Sequence, residues 1–373
     1  MARDINQRLQ QLRTRRDGSR GVAVEGVTLD SIFKKSIPPA ELWESRGAAT
    51  QPHTRYALGS MQAVSETYTR VSKETADRVA NQLKDRLAKV GVHAEFQLQG
   101  SVPLDVHIKG VSDVDLLTLS NELYTYDPKG AVALRGGYTY PAKRTSLEVL
   151  IELRSLVESS LDDAFPAAKV DKAGAKAVKI SGGSLARDVD VVPAHWSDTI
   201  QYQATGTASD RGTRILDKKR HVTIENQPFR HIELITSRCD LVGGGLRKAI
   251  RLCKNVKADS DRNITLPSFD IASVMYHANL DALRRGRYYE LAILAETQRH
   301  LDQLACDHAL AKTLYVPDGS RLIFDTDEKL RSLNELSYDI DELLNAVFVE
   351  HAPNYLTSNL MRDKRQTISG LAA

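Results

Sequence analysis

Long apolar runs are missing from this 373-residue chain. No stretch approaches the ~18 consecutive apolar residues that a membrane-spanning helix requires. The opening segment, MARDINQRLQQLRTRRDGSR, has no apolar core of the kind a secretory signal carries, so a cytoplasmic location is expected. Cysteine is scarce. Cys239, Cys253 and Cys306 are scattered, odd in number and without metal-ligand spacing, which argues against a disulfide framework. They are read as small buried hydrophobes in a reducing compartment. An excess of one charge sign is lacking too: 51 Lys and Arg stand against 48 Asp and Glu, for a net charge of +3. That near-balance argues against a long nucleic acid as an obligate partner. Two basic clusters, DKKRHV (217–222) and LRKAIRLCKNVK (246–257), can still attract phosphate locally.

What is present is an ordinary globular balance, 42% apolar and 27% charged residues, in a chain long enough for two domains. The patterning predicts an α/β (α+β) protein. An amphipathic helix at about 4–16 leads into an irregular arm. A long helix follows over 60–90, its stripe formed by Val64, Tyr68, Val71, Val79, Leu83, Leu87 and Val90, with Gly91 as the stop. Strands are expected at HAEFQLQ (93–99), DVDLLTL (113–119), AKAVKIS (175–181) and RDVDVVPA (187–194), with a helix at 146–165 and a hairpin from GTRILD and HVTIEN. The sheet should hold about five strands. After NQPFRHIELI (226–235) the chain turns helical to about 360. The expected organisation is an N-terminal helix and arm (1–55), a sheet domain with the long helix (56–235), a helical domain (236–360) and a flexible tail (361–373). The cleft between the two large domains is the expected small-ligand site.

The chemistry concentrates in QGSVPLDVHIKGVSDVDLLTLS (99–120). Side chains alternate across a strand, so Asp113 and Asp115 share one face of an otherwise apolar run. Two carboxylates that close repel unless a cation compensates them. Mg²⁺ is the common solution, a hard ion held by one or two carboxylates and completed by phosphate oxygens. Gly100 permits close backbone approach, and the amides and hydroxyl around Ser101 can cradle a phosphate. A two-metal site needs a further carboxylate, and Asp188 and Asp190 in RDVDVVPAHW share a face on another apolar strand.

The order of these pieces resembles the signature of polymerase-β-like nucleotidyltransferases, in which Gly-Ser precedes the Asp-x-Asp strand and VDVVPA corresponds to the strand of the third carboxylate. Within that superfamily, the long preceding helix and the helical second half are similar to the cGAS/DncV-like nucleotidyltransferases (CD-NTases) of bacterial CBASS anti-phage systems. NQPFRHIELI, LRKAIRLCKNVKAD and LPSFDIASVMYHA carry this second likeness, and the whole resemblance spans about 56–350.

The resemblance implies a nucleotidyltransferase sheet domain and the synthesis of a cyclic oligonucleotide second messenger from ATP, GTP or other NTPs, with two Mg²⁺ or Mn²⁺ ions. Asp113 and Asp115 would hold both metals and Asp190 the metal near the acceptor hydroxyl. Asp190 is preferred to Asp188 because it directly precedes the apolar pair and Pro193. Gly100 and Ser101 would contact the triphosphate, as would Lys254 and Ser268 from the helical half; Lys248 and Arg251 are alternatives to Lys254. Phe269, Tyr276 and Tyr315 are candidate base-stacking residues. Val106 stands where many relatives have Thr. His107 should alternate with it on a short strand and bond locally. Other activities of the same core are modification of RNA, an antibiotic or a protein, and a nucleotide-binding scaffold without turnover is a further alternative. SGLAA at the C-terminus is compatible with attachment to other proteins by a CBASS ancillary ligase-like enzyme.

Overall fold

The computed structural model describes residues 4–17, 41–46, 48–352 and 360–371. Most of the expected arm, and the last two residues of the tail, lie outside them. The chain divides into two compact units. One comprises the described residues of Met1–Val64, Val106–Val111 and Ile235–Ala373; the other comprises Ser65–Asp105 and Ser112–Leu234.

The first unit is helical. It contains α1 (Ile5–Asp17) and α2 (Pro52–Met61). Across the boundary, the second unit opens with α3 (Glu66–Lys89) and also holds α4 (Ser146–Ala164). The boundary at 234/235 falls inside α5 (Pro228–Leu241). The rest of the helical unit is built from α6 (Gly245–Asp259), α7 (Ser268–Tyr276), α8 (Leu291–Cys306), α9 (Asp327–His351) and α10 (Met361–Ile368), with shorter turns between them.

The second unit is built on one seven-stranded sheet, ordered β1 (Ala94–Gln99), β2 (Val114–Tyr126), β5 (Val189–Asp198), β4 (Val178–Ser181), β3 (Lys169–Asp171). A hairpin of β6 (Gly212–Asp217) and β7 (Val222–Asn226) joins through β5. The central pair β2–β5 is parallel and the other pairings are antiparallel. Seven strands replace the expected five because β3, with three residues, is too short to show a period, and because the hairpin adds to the same sheet.

Alternation sorts the two faces. Val114, Leu116, Val178, Ile180, Val189 and Val191 pack with Ala76, Val79, Leu83 and Leu87 of α3 and Leu150, Leu153, Val157 and Leu161 of α4. On the other parity, Leu117, Leu119, Val192, Ala194 and Ile215 form a second cluster with Trp196 and Phe229. Local signals place the helices. Thr145 and Glu148 form a capping box at the start of α4. The single helix expected from 60 to 90 is two helices: α2 ends at Met61, and Ser65 accepts from the Tyr68 amide at 3.2 Å to start α3 anew. Val64 continues the apolar period across the break, which hides it from a periodicity argument.

In the helical unit, α6 presents Leu246, Ala249, Ile250, Leu252, Cys253 and Val256 to the interior. Cys239 and Cys253 are buried as expected, whereas Cys306 is exposed. The tail expected to be flexible carries α10, whose Ile368 is fully buried. Arg365 bonds Asp302 at 2.6 Å and Lys364 bonds Asn345 at 2.9 Å. This attachment is polar apart from one isoleucine, so no apolar pattern announces it.

The N-terminal helix is pinned by one buried charge. The Arg15 guanidinium grips both oxygens of Asp259, with Nη2–Oδ2 at 2.6 Å, and the Tyr56 hydroxyl donates to Oδ2 at 2.7 Å. Burial alone would lower the Arg15 pKa, and the bond and charge of Asp259 hold it raised. Removing one partner of a buried pair strands the other. Arg15→Ala is therefore expected to cost about 3 kcal/mol in urea unfolding, and the double variant Arg15→Met, Asp259→Leu less.

Candidate active site

The sheet sets one residue from each of five strands in a transverse row. Gln99 of β1 pairs with Asp115, Asp115 with Asp190, Asp190 with Lys179, and Lys179 with Asp171. Directly opposed residues share a face. The even partners Val114 and Leu116, with Val189 and Val191, are in the helix-covered core, so Asp115 and Asp190 point to the other face. Asp113 stands just before β2. Its Oδ2 accepts from Lys179 Nζ at 2.6 Å, and Asp188 Oδ2 lies 3.5 Å from the same nitrogen.

Carboxylates therefore outnumber cations here. Burial raises the Asp190 pKa first; the charges of Asp113, Asp188 and Asp171 add to it, against the opposing pull of Lys179. Burial works to lower the Lys179 pKa, yet the hydrogen bond and charge of Asp113, with Asp190 and Asp188 behind it, leave it raised. Among the described residues, Asp190 Oδ1 is buried without a hydrogen-bond partner, a cost a protein normally avoids.

Gly100 follows β1 with φ +73°, and a Cβ there would collide with the Asp115 carboxylate. Glycine is required twice over, by backbone conformation and by the approach of the acid. Ser101 is half-buried and opens the turn that follows.

Among the described residues, no three His, Cys, Asp or Glu side chains converge closely enough to hold a metal as they stand; Lys179 takes Asp113 instead. The donor set still fits a hard divalent cation. Its atoms are carboxylate oxygens, and the orphaned oxygen of Asp190 faces an unmet need for positive charge.

The remaining sequence-derived residues lie in the helical unit. Lys254 is buried, and its Nζ donates to the Val106 carbonyl at 2.8 Å. Arg251 donates to the Met61 carbonyl at 2.8 Å, and Lys248 pairs with Glu290 at 2.5 Å. Ser268 is exposed as the first residue of α7. Val106 and His107 are not on a strand: residues 106–108 are irregular and all three side chains are buried, so no alternation separates them. Phe269 lies under the Arg321 guanidinium at 5.3 Å and Tyr276 under Arg238 at 4.3 Å, while Tyr315 is half-exposed. Sequence reasoning missed Lys179. A lysine inside the apolar run AVKIS was the available signal, but its meaning depends on β4 lying beside β5.

No protein-family model matches the chain. It is 43% identical over 343 residues to the cyclic dinucleotide synthase CdnE of Yersinia aleksiciae, spanning 91% of this chain and 87% of that protein. It is 32% identical over 306 residues to a c-di-GMP synthase of Capnocytophaga granulosa, spanning 77% of this chain and 85% of that one. A solved structure of the STING-associated CdnE c-di-GMP synthase from Capnocytophaga granulosa aligns with a TM-score of 0.70 at 27% identity, over 91% of this chain and 97% of that one. The Rhodothermus marinus CdnE c-UMP-AMP synthase shares the fold, with a TM-score of 0.57 at 18% identity over 77% of this chain and 94% of that one. Fold and relatives together define a nucleotidyltransferase of the CD-NTase class. The chain belongs to the CdnE cyclic dinucleotide synthases.

Gly100→Ala should leave the circular-dichroism spectrum intact and lower pyrophosphate release from NTPs by about 100-fold, the scale expected when a reacting group is misplaced by an ångström. Activity close to that of the unaltered protein would mean that Asp115 does not need its present position.

Proposed function

We propose that this chain joins two nucleoside triphosphates into a cyclic dinucleotide, a second messenger in CBASS anti-phage signalling, and that the carboxylate row of β2 and β5 is its reaction centre. The observation that carries the reading is the register of Asp115 against Asp190, with Asp113 close by and Gly100 pressed against Asp115. Two Mg²⁺ or Mn²⁺ ions held by Asp113, Asp115 and Asp190 would lower the pKa of the attacking hydroxyl and neutralise charge on the triphosphate.

The chain's own groups do the positioning, which dominates phosphoryl transfer. The Gly100 backbone and the Ser101 hydroxyl receive phosphate oxygens in the turn after β1. Ser268 and Lys254 are the proposed triphosphate contacts of the helical unit, and for Lys254 that role requires its amine to leave the Val106 carbonyl. Asp190 draws the proton of the acceptor hydroxyl towards the carboxylate row as the hydroxyl oxygen attacks the α-phosphorus. The bond to the pyrophosphate oxygen breaks as the new phosphodiester forms. A second such step on the linear product closes the ring.

ATP and GTP are the first substrates to test. A cytoplasmic site of action agrees with a chain in which, among the described residues, no helix is long and apolar enough to cross a membrane. The segment beyond α10 is the proposed point at which an ancillary ligase-like enzyme would join the chain to other proteins.

Incubation with labelled NTPs and Mg²⁺ or Mn²⁺ should yield pyrophosphate and a small phosphatase-resistant product. Chelation should abolish both, as should Asp113→Ala with Asp115→Ala. Label appearing instead on RNA, an antibiotic or a protein would redirect the reading to another transferase reaction. Nucleotide binding without any turnover would leave a scaffold.

A further inference from the structure

Lys179 is surrounded by more negative charge than it can neutralise. Its ammonium lies 2.6 Å from Asp113 and 3.5 Å from Asp188. Its register partners across the sheet are Asp190 on β5 and Asp171 on β3. Four carboxylates thus flank one lysine on a strand whose neighbours Val178 and Ile180 are fully buried. The side chain is 38% exposed and that of Asp113 33%, so the four-carbon stem has room to swing while the backbone stays fixed in the sheet. Its contact is with one of the proposed metal ligands.

We infer that Lys179 is a built-in counter-cation: it holds Asp113 in place while the carboxylates carry no divalent ion, and it yields Asp113 when one binds, thereby setting the affinity of the site for metal. The inference rests on the proposed reading of Asp113, Asp115 and Asp190 as metal ligands. It makes Lys179 a positioning residue that acts through Asp113. The physical reason is competition. A monovalent ammonium and a divalent ion seek the same carboxylate oxygen, and the ammonium also repels the incoming ion at short range. Once displaced, the ammonium has Asp188 and Asp171 as ready partners, so it need not be left uncompensated.

Two properties should therefore move in opposite directions when the charge is removed. In Lys179→Met the metal-free protein loses the ammonium that compensates Asp113 and melts at a lower temperature. The same variant loses the competitor and binds Mn²⁺ more tightly, by up to about fivefold, the upper value of one partly exposed ion pair in a binding constant. Lys179→Arg keeps the charge and should stay near the parent in both measurements. Should Lys179→Met fold poorly, Lys179→Gln carries the same test.

Mn²⁺ binding is read by the loss of the free-ion electron paramagnetic resonance signal, without nucleotide and without turnover, beside thermal melting in chelator. Lower melting together with tighter Mn²⁺ binding is the expected result. Unchanged or weaker Mn²⁺ binding by Lys179→Met and Lys179→Gln, with the parent binding normally, overturns the counter-cation role and leaves the metal reading standing. A parent protein that binds no Mn²⁺ at all overturns both.

Discussion

Two carboxylates set side by side across a parallel strand pair are the constraint from which the rest of the site follows. Asp115 and Asp190 are register partners on β2 and β5, at strand-to-strand spacing of about 5 Å. Such a pair is unfavourable unless cations and dipoles surround it. The sheet answers with Lys179 as the next residue in the row, and the turn after β1 answers with a glycine that lets backbone, not a side chain, lie against Asp115. On the opposite face of the same strands Val114, Leu116, Val189 and Val191 are packed against α3 and α4. The proposed reaction centre thus shares its parity with the second apolar cluster of Leu117, Leu119, Val192 and Ala194, and lies where Asp115 and Asp190 take the place of apolar residues on that face.

The same division explains why the residues in this region are so different in kind within a few positions. Val114 and Leu116 bracket Asp115, and Val189 and Val191 bracket Asp190. A one-residue slip of either strand would bury a carboxylate among the leucines of α3 and α4 and turn its valines outward. Register is therefore strongly specified, and with it the meeting of the two acids. The row of five paired positions runs from Gln99 to Asp171, so chemistry and topology are written in the same residues.

Much of this was legible in the sequence, because alternation has period two and survives without knowledge of the fold. The shared face of the acids, the glycine before them, the family and the α/β plan could all be read from short motifs, and the CdnE relatives agree with the family and the plan. What could not be read depends on which elements become neighbours. Lys179 acquires a role only when β4 lies between β5 and β3. Lys254, expected as a triphosphate contact, is a buried donor to the Val106 carbonyl. The break before α3 was hidden by Val64, and α10 by contacts made of ions and amides in place of an apolar stripe. Local period is a property of the chain; compensation of charge is a property of the assembled sheet.

Anomalous diffraction at the manganese edge, from crystals grown with Mn²⁺ and a non-hydrolysable NTP, tests the central claim most directly. The account predicts manganese coordinated by Asp113, Asp115 and Asp190, with the Lys179 ammonium drawn away from Asp113. Nucleotide bound with no manganese at these three carboxylates, and Lys179 still on Asp113, would contradict it.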